Sequence, residues 1–301
     1  MQFPRIITRR IARIAVSSTW LLSLFVPVLS ATAESHLLQW KWSKGQVWAV
    51  DLRQRVETES AYTGKTIKLN LELSIDMTWK ITDLDSARQV ATIEQSIERI
   101  RARVVDGQGN AREFDSNAKR NPVDLAGALD RFKGLRMTME VSATGRILKI
   151  ELPAIIDDTK SEGAFRNVDF AQLIRQSSAV LPETPIEVGG SWETESESAV
   201  PEGTLKMKSS YRLAGESEAD GMAVMKIEHR GELALGGVRK SLPNLTIKQQ
   251  EQTGTILFDA KAGRIVSSKL NQRLTTQSRI RDIVIDTTTR STLELTLRPM
   301  P

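Results

Sequence analysis

The sequence predicts a mainly β protein: long, twisted antiparallel strands in two similar halves, with a few short helices between them. Three observations predict it: unbroken period-two alternation over residues 67–82, the same habit at the C-terminal end, and turn residues spaced between the runs. In the first run Ile67, Leu69, Leu71, Leu73, Ile75, Met77, Trp79 and Ile81 alternate with Lys68, Asn70, Glu72, Ser74, Asp76, Thr78, Lys80 and Thr82. Successive side chains of a strand point to opposite faces, so one face is apolar and the other wet. At about 3.3 Å per residue this strand reaches ~50 Å, a length that belongs to twisted or curved sheets.

The chain opens with Arg5, Arg9, Arg10 and Arg13, an apolar stretch over residues 14–29, and Ala31-Thr32-Ala33. A basic segment, an apolar segment and a small-residue cleavage site predict a signal peptide over residues 1–33. The mature protein is then expected to be periplasmic or extracellular, without a transmembrane span. The apolar stretch contains Pro27 and falls short of the ~20 residues that a retained anchor needs. Ala12 and Arg13 after Arg9-Arg10 favour general secretion over twin-arginine export, and no cysteine follows to carry a lipid.

The whole chain has 42 basic and 37 acidic residues, and the leader holds four arginines and no acid, which leaves 38 against 37. So even a balance argues against a nucleic-acid partner. The 301 residues include no cysteine, which excludes thiol nucleophiles, iron–sulfur ligands and thiolate zinc sites. Without disulfides the fold must rest on apolar burial.

After the leader, residues 34–150 read as an N-terminal β half, 151–188 as a helical and extended connector, and 189–301 as a C-terminal β half. Val90, Ile93, Ile97, Ile100 and Val104 have helical spacing, but the β-branched residues between two turn signals predict a strand with a bulge near Arg99 and Ile100. Residues 122–132 and 169–177 read as short helices covering the sheet, with Asn121 before Pro122 resembling a cap. Residues 181–190, with Pro182, Pro185, Gly189 and Gly190, read as an extended connector. At the end, Ile283, Ile285, Thr287, Thr289, Ser291, Leu293, Leu295 and Leu297 share a face, as do Val266, Ser268, Leu270, Gln272 and Leu274 before them. These form a long antiparallel pair.

Landmarks recur in one order. Gly45-Gln46-Val47-Trp48, Trp79-Lys80-Ile81, an acidic turn and Ala143-Thr144-Gly145-Arg146-Ile147 are matched by Gly190-Ser191-Trp192, Tyr211-Arg212-Leu213, an acidic turn and Lys261-Ala262-Gly263-Arg264-Ile265. The order predicts an internal repeat, although Gly145 and Gly263 also suit any hairpin that needs positive φ.

The ordered set Trp40-x-Trp42, Gly45-x-x-Trp48, Ile75-Asp76-Met77-Thr78-Trp79, Leu181-Pro182-x-x-Pro185 to Trp192, and Phe258-Asp259 to Gly263-Arg264 resembles an uncharacterised family of exported proteins of planctomycete-type bacteria, a domain of unknown function. The resemblance covers nearly all of the mature chain and consists of structural residues. It implies architecture and compartment and carries over no catalytic or binding position.

Chemistry-bearing residues are sparse, and none is assigned as catalytic or metal-ligating; no cofactor is expected. Of the two histidines, His36 lies near the mature N-terminus, and His229, between Glu228 and Arg230, is expected at the surface of a strand. No Gly-x-Ser-x-Gly elbow or glycine-rich phosphate cradle is present. Asp83 and Asp85 read as turn residues, Asp157-Asp158 follows a short apolar run, and Glu193, Glu195 and Glu197 share the wet face of one strand. Residues 106–110 resemble a calcium loop but lack its terminal glutamate. Arg99, Arg101 and Arg103 share one strand face, able to grip an anion but more ordinarily solvated. Trp40, Trp42, Trp48, Trp79 and Trp192 read as core, or as the wall of an apolar pocket between the halves.

The expectation is therefore an exported, non-enzymatic protein that binds an apolar ligand such as a lipid, or an envelope protein. The alternative is a structural or interaction protein of the cell envelope whose core is fully packed. Empty space between the apolar faces separates the two.

Overall fold

The computed structural model describes residues 34–153, 179–200, 203–236, 246–280 and 282–300. The expected leader (1–33), the helix expected over 169–177 and Asp157-Asp158 lie outside them.

The fold is mainly β, as the alternation predicts. The N-terminal strands are β1 (Ser35–His36), β2 (Val47–Tyr62), β3 (Lys65–Asp85), β4 (Val90–Asp106), β5 (Ala111–Asp115), β6 (Arg136–Ser142) and β7 (Ile147–Glu151). The remainder are β8 (Ile186–Glu187), β9 (Ser191–Val200), β10 (Gly203–Ala219), β11 (Met222–Gly236), β12 (Thr246–Asp259), β13 (Arg264–Ile280) and β14 (Ile283–Pro299). One 12-stranded sheet runs β7-β6-β4-β3-β2-β14-β13-β12-β11-β10-β9, with β5 on the far end of β4. The chain thus walks outward from the middle to one edge, restarts at the other edge and walks back. Its first and last long strands close the middle by pairing from Trp48↔Pro299 to Tyr62↔Ile285.

The ambiguous spacing in β4 has a mechanical cause. The register with β3 passes from Asp76↔Arg99 to Met77↔Ile97, leaving Glu98 as an extra residue just before the expected bulge. The bulge shifts the phase by one, so Ile93 and Ile97 before it and Ile100 and Val104 after it are all buried. The result imitates a helical period.

Helix α1 (Val123–Leu129) and the 3₁₀ turn Asp130–Phe132 occupy the predicted helical segment and bury Leu125, Leu129 and Phe132. Asn121 is not the cap. Its side-chain amide instead accepts from the Asp115 N–H at 3.0 Å and donates to the Asp115 carbonyl at 3.0 Å, pinning the end of β5. Among the described residues no helix is long and apolar enough to cross a membrane.

Met139 and Val141 of β6 line one small cavity together with Ile265 of β13. In a flat sheet these strands, five steps apart in the order, would be separated by roughly 24 Å. The sheet therefore curls, and the face turned inward carries the core. Two extended segments fill it: residues 37–46, which bring Leu38, Trp40 and Trp42, and residues 179–185, which bring Ala179 and Leu181. The ribbon β1–β8 ties these segments together through Ser35↔Glu187 and His36↔Ile186.

Backbone bonds anchor the extended segments to the strands at two places. Gly45 donates its N–H to the Ile81 carbonyl at 2.8 Å, and Ile81 donates to the Gln46 carbonyl at 2.9 Å; Gly189 donates to Leu213 at 2.7 Å, and Leu213 to Gly190 at 2.9 Å. A register shift follows each, at Ile81/Asp83 and at Leu213/Gly215. The cross-strand pairs Trp48↔Trp79 and Trp192↔Tyr211 occupy matching places. The two hairpin turns meet the first segment directly: the Trp40 N–H donates to the Ala143 carbonyl at 2.8 Å and the Lys41 N–H to the Gly263 carbonyl at 2.9 Å.

Gly145 has φ +83°, and a Cβ there would lie 2.7 Å from the Ala179 carbonyl oxygen and 2.8 Å from Trp40 Nε1. Both sterics and backbone conformation demand glycine. Gly145→Ala is expected to cost at least about 2 kcal/mol, against about 1 kcal/mol for Gly109→Ala, where φ is also positive but nothing lies within 4 Å. Urea midpoints of the two variants measure the difference; equal losses would mean that the contact with Trp40 contributes nothing.

Candidate functional site

Along each long strand the inner face changes character. On β2, Trp48, Val50 and Leu52 are buried, but Gln54, Val56, Thr58, Ser60 and Tyr62 are half-exposed. On β3, Leu73 to Ile81 are buried at alternate positions, Leu71 and Leu69 are half-buried, and Ile67 is exposed. On β14, Leu297, Leu295 and Leu293 give way to Ser291, Thr289, Thr287 and Ile285. The curled sheet thus has a closed, apolar end and an open end whose inner face mixes threonine with aliphatic side chains.

The closed end is packed. Trp40 and Trp42 stack with centroids 4.5 Å apart, Trp40 meets Phe258 edge-on, and Trp79 donates its indole N–H to Gln95 Oε1 at 2.8 Å. The cavity beside these rings measures about 20 Å³, the size of one water molecule. Trp40, Trp42, Trp48 and Trp79 are core, Trp192 packs half-buried against it, and the wall of a roomy apolar pocket is not what they form. Trp40 and Trp42 do so from an extended segment, not from a strand.

Between the two ends sits a polar cluster. His229 was expected at the surface, but it is 7% exposed. The alternation of β11 points Glu228 and Arg230 outward, where Glu228 accepts from Arg212, and turns His229 inward. Its ring lies 4.9 Å from Tyr211, which stacks on Trp192 at 5.2 Å, and the Trp192 indole donates to the Val180 carbonyl at 2.7 Å. Ser209 and Gln252 are also buried. Gly254 stands opposite His229, and Gly231 opposite Gln252, so glycines and polar residues form a two-by-two checkerboard on β11 and β12. A Cβ at Gly231 would lie 2.7 Å from Gln252 Oε1, and one at Gly254 would lie 3.4 Å from His229 Nδ1. The cavity lined by Ser209, Tyr211, His229 and Gln252 measures about 30 Å³.

Burial, with no charged partner, holds the His229 imidazole down at about 4. Burial also raises the Tyr211 phenol, against the opposing hydrogen bonds of Ser209, the Val180 backbone and Thr194. Both groups are therefore uncharged near neutral pH. Gln252, Gly231 and Gly254 were not singled out in the sequence, although two glycines within strand runs, one of them following Gln252-Thr253, were the available signal.

The other sequence-derived positions are held by partners on the outer face. Arg99 Nε donates to Asp115 at 3.0 Å, Arg101 pairs with Asp76 at 2.6 Å and Arg103 with Glu113 at 3.3 Å. The Arg99 guanidinium holds the Asp115 carboxyl at about 2. Glu193 and Glu197 pair with Lys208 and Lys206, Glu195 is exposed beside them, and Asp83 pairs with Lys44. Asp85 and Asp106 accept backbone N–H groups of their own turns. His36 is half-buried in β1. Among the described residues no group of three or more His, Asp or Glu side chains is placed to hold a metal ion.

No family model matches the chain, and no curated protein matches it. Among solved structures, it is similar to lipovitellin, in a structure described for its lipid–protein interactions, with TM-score 0.52 and 13% identity over 87% of this chain. The chain spans about a quarter of that protein's length, 26%. An outer-membrane channel from Pseudomonas putida F1 also aligns, with TM-score 0.29 and 8% identity over 86% of this chain and 97% of the channel. The likeness to lipovitellin is one of fold.

The buried imidazole carries a pH signature. The unfolded chain takes up this proton below its ordinary value of 6.5, whereas the folded chain takes it up only near 4. Stability is therefore full above pH 6.5 and falls as the pH drops toward 4. Between pH 7.5 and 5 the loss is about 2 kcal/mol, a window above the ordinary carboxylate values. Urea unfolding of the wild type and of His229→Gln at both pH values measures it; the variant is expected to lose that much less, and equal slopes would place His229 in water.

Proposed function

We propose that this is an exported, non-enzymatic binding protein whose open inner face holds an amphipathic, lipid-like ligand. The observation that carries the reading is the run of half-exposed aliphatic side chains leading away from the core, Leu71 and Leu69 packed against it and Val56, Leu274 and Ile285 outside it, interleaved with Thr58, Thr276, Thr287 and Thr289. An acyl chain can lie on the aliphatic groups and remove them from water, at about 25 cal/mol per Å² of apolar area, while the hydroxyls tolerate solvent. The similarity of fold to lipovitellin, whose structure is described for lipid–protein interactions, supports the same direction. The basic, apolar and small-residue order of residues 1–33 supports export to the envelope or beyond, the compartment of the exported family that the sequence resembles. The recurrent glycine anchors, register shifts and aromatic pairs support an origin by internal duplication.

A second reading is favoured by one observation: the cavity in the closed end measures only about 20 Å³ and the one at the polar cluster only about 30 Å³. A core so filled suits a structural or interaction protein of the envelope.

Displacement of a fluorescent fatty-acid probe from the purified processed protein separates the readings, alongside native mass spectrometry for retained lipid. The ligand-binding reading expects displacement by 1-oleoylglycerol, and at least about tenfold weaker binding in Leu274→Lys and Ile285→Lys, since burying an unpaired ammonium costs more than one such factor. Both side chains are outside the buried core, so unfolding midpoints should stay within about 0.5 kcal/mol of the wild type. Absence of probe binding, or binding that ignores both lysines, would leave the packed scaffold as the better account.

A further inference from the structure

Four features converge on one spot at the inner end of the open face. Gln252 is 6% exposed, and its Oε1 has no hydrogen-bond partner, while its amide nitrogen reaches only Met207 Sδ at 4.0 Å. A buried acceptor left unpaired is costly, and its persistence asks for an explanation. Gly231 and Gly254 stand in strand interiors, where glycine weakens a strand and marks a close approach. The third feature is a seam: β11 and β12 stop pairing at Gly231↔Gln252, and beyond it the Leu233 N–H is caught at 2.7 Å by the Gln250 side chain in place of a backbone carbonyl. The fourth is the 30 Å³ notch, bounded by Ser209, His229 and Gln252 on the inner face.

We infer that this notch is the head-group end of the ligand site and takes a neutral, hydroxyl-bearing group, such as the glycerol of a monoacylglycerol, whose O–H donates to Gln252 Oε1. The inference rests on the proposed binding of an acyl chain along the open face. The notch has room for a hydroxyl. The inward-facing side chains around Gln252 include Met207, Ser209, Tyr211, His229, Leu270 and Gln272, none of them carrying a charge at neutral pH. Lys269, whose backbone also borders the notch, spends its ammonium on Glu294 at 2.7 Å on the outer face. An anionic head group would thus lose water without gaining a cation. A hydroxyl gains an acceptor that nothing else uses.

Four probes sharing one chain test this: 1-oleoylglycerol, methyl oleate, oleate and 1-oleoyl lysophosphatidate, each displacing the fluorescent probe from the wild type and from Gln252→Met. In the wild type 1-oleoylglycerol is expected to bind about tenfold tighter than methyl oleate, which cannot donate, and tighter than both anions. In Gln252→Met the advantage over methyl oleate should vanish, with methyl oleate itself unchanged. Methionine preserves the volume and removes the orphaned acceptor, so the thermal midpoint should hold or rise, which separates lost recognition from lost fold. Equal binding of 1-oleoylglycerol and methyl oleate in the wild type, or preference for lysophosphatidate, overturns the head-group assignment and leaves the acyl-chain reading standing. Binding of none of the four overturns both.

Discussion

A sheet that carries its apolar side chains on one face must keep that face from water, and here β3, 21 residues long, presents such a face with its alternate side chains. The protein meets this requirement over only part of the strands' length. At one end the sheet curls until β6 and β13 share a cavity wall, and residues 37–46 and 179–185 fill what the curl leaves. These segments have no sheet to pair with, so their backbone is satisfied at isolated points: Trp40 at Ala143, Lys41 at Gly263 and Leu181 at Thr144. Each point is a hairpin turn. The Lys41 ammonium adds bonds to the carbonyls of Ala260 and Lys261, so this turn is held by side chain as well as backbone. With no disulfide available, the positions of the two hairpin turns fix where the tryptophans sit and hence where the core ends.

Where the core ends decides what the remainder can do. The inner face beyond it keeps the same alternation but exchanges leucine and isoleucine for threonine, serine and glutamine on β2, β13 and β14. β-branched threonine keeps the strand propensity while lowering the apolar area that an open face would show to water. An open face made only of leucine would be an aggregation surface; one made only of threonine would hold nothing. The mixture retains strand geometry without cover, and it leaves aliphatic groups at spacings that a long chain could bridge.

Much of this architecture was legible in the sequence because alternation is a local property with a global consequence. The length of β3, the pairing of β13 with β14 and the hairpins at Gly145 and Gly263 all follow from residues within one run or one turn. The bulge in β4 was legible too, since only a one-residue slip reconciles β-branched content with three-and-four spacing. What the sequence concealed depends on partners far along the chain. His229 looks like a surface residue beside Glu228 and Arg230, yet the same alternation that defines a strand assigns it to the opposite face from both. Asn121 looks like a cap, but Asp115, six residues earlier, claims its amide. The three arginines of β4 read as a solvated face that could also grip an anion, and the sequence does not reveal that β3 and β5 supply Asp76, Asp115 and Glu113 as their partners. The division into a packed end and an open end could not be read from alternation at all, because it depends on where distant segments lie down.

The polar cluster is placed where these two regimes meet, and its composition reflects both. Toward the packed end Tyr211 is sandwiched between Trp192 and His229, and burial keeps both polar rings neutral. Toward the open end Gln252 lies over Gly231, just where β11 and β12 part. The N-terminal half carries Gln95 opposite Trp79 at the place that His229 takes opposite Tyr211. There the amide oxygen accepts from the Trp79 indole, its nitrogen is left without a partner, and the neighbouring strand supplies Met137 in place of glycine. The partner of the aromatic residue is thus an amide in one cluster and an imidazole in the other, and only the second cluster has a further amide, that of Gln252, beside a seam. Packing alone gives no reason for the second arrangement, since a methionine or leucine would fill the same volume without burying an unpaired acceptor. A hydroxyl donor on the proposed ligand would satisfy that acceptor.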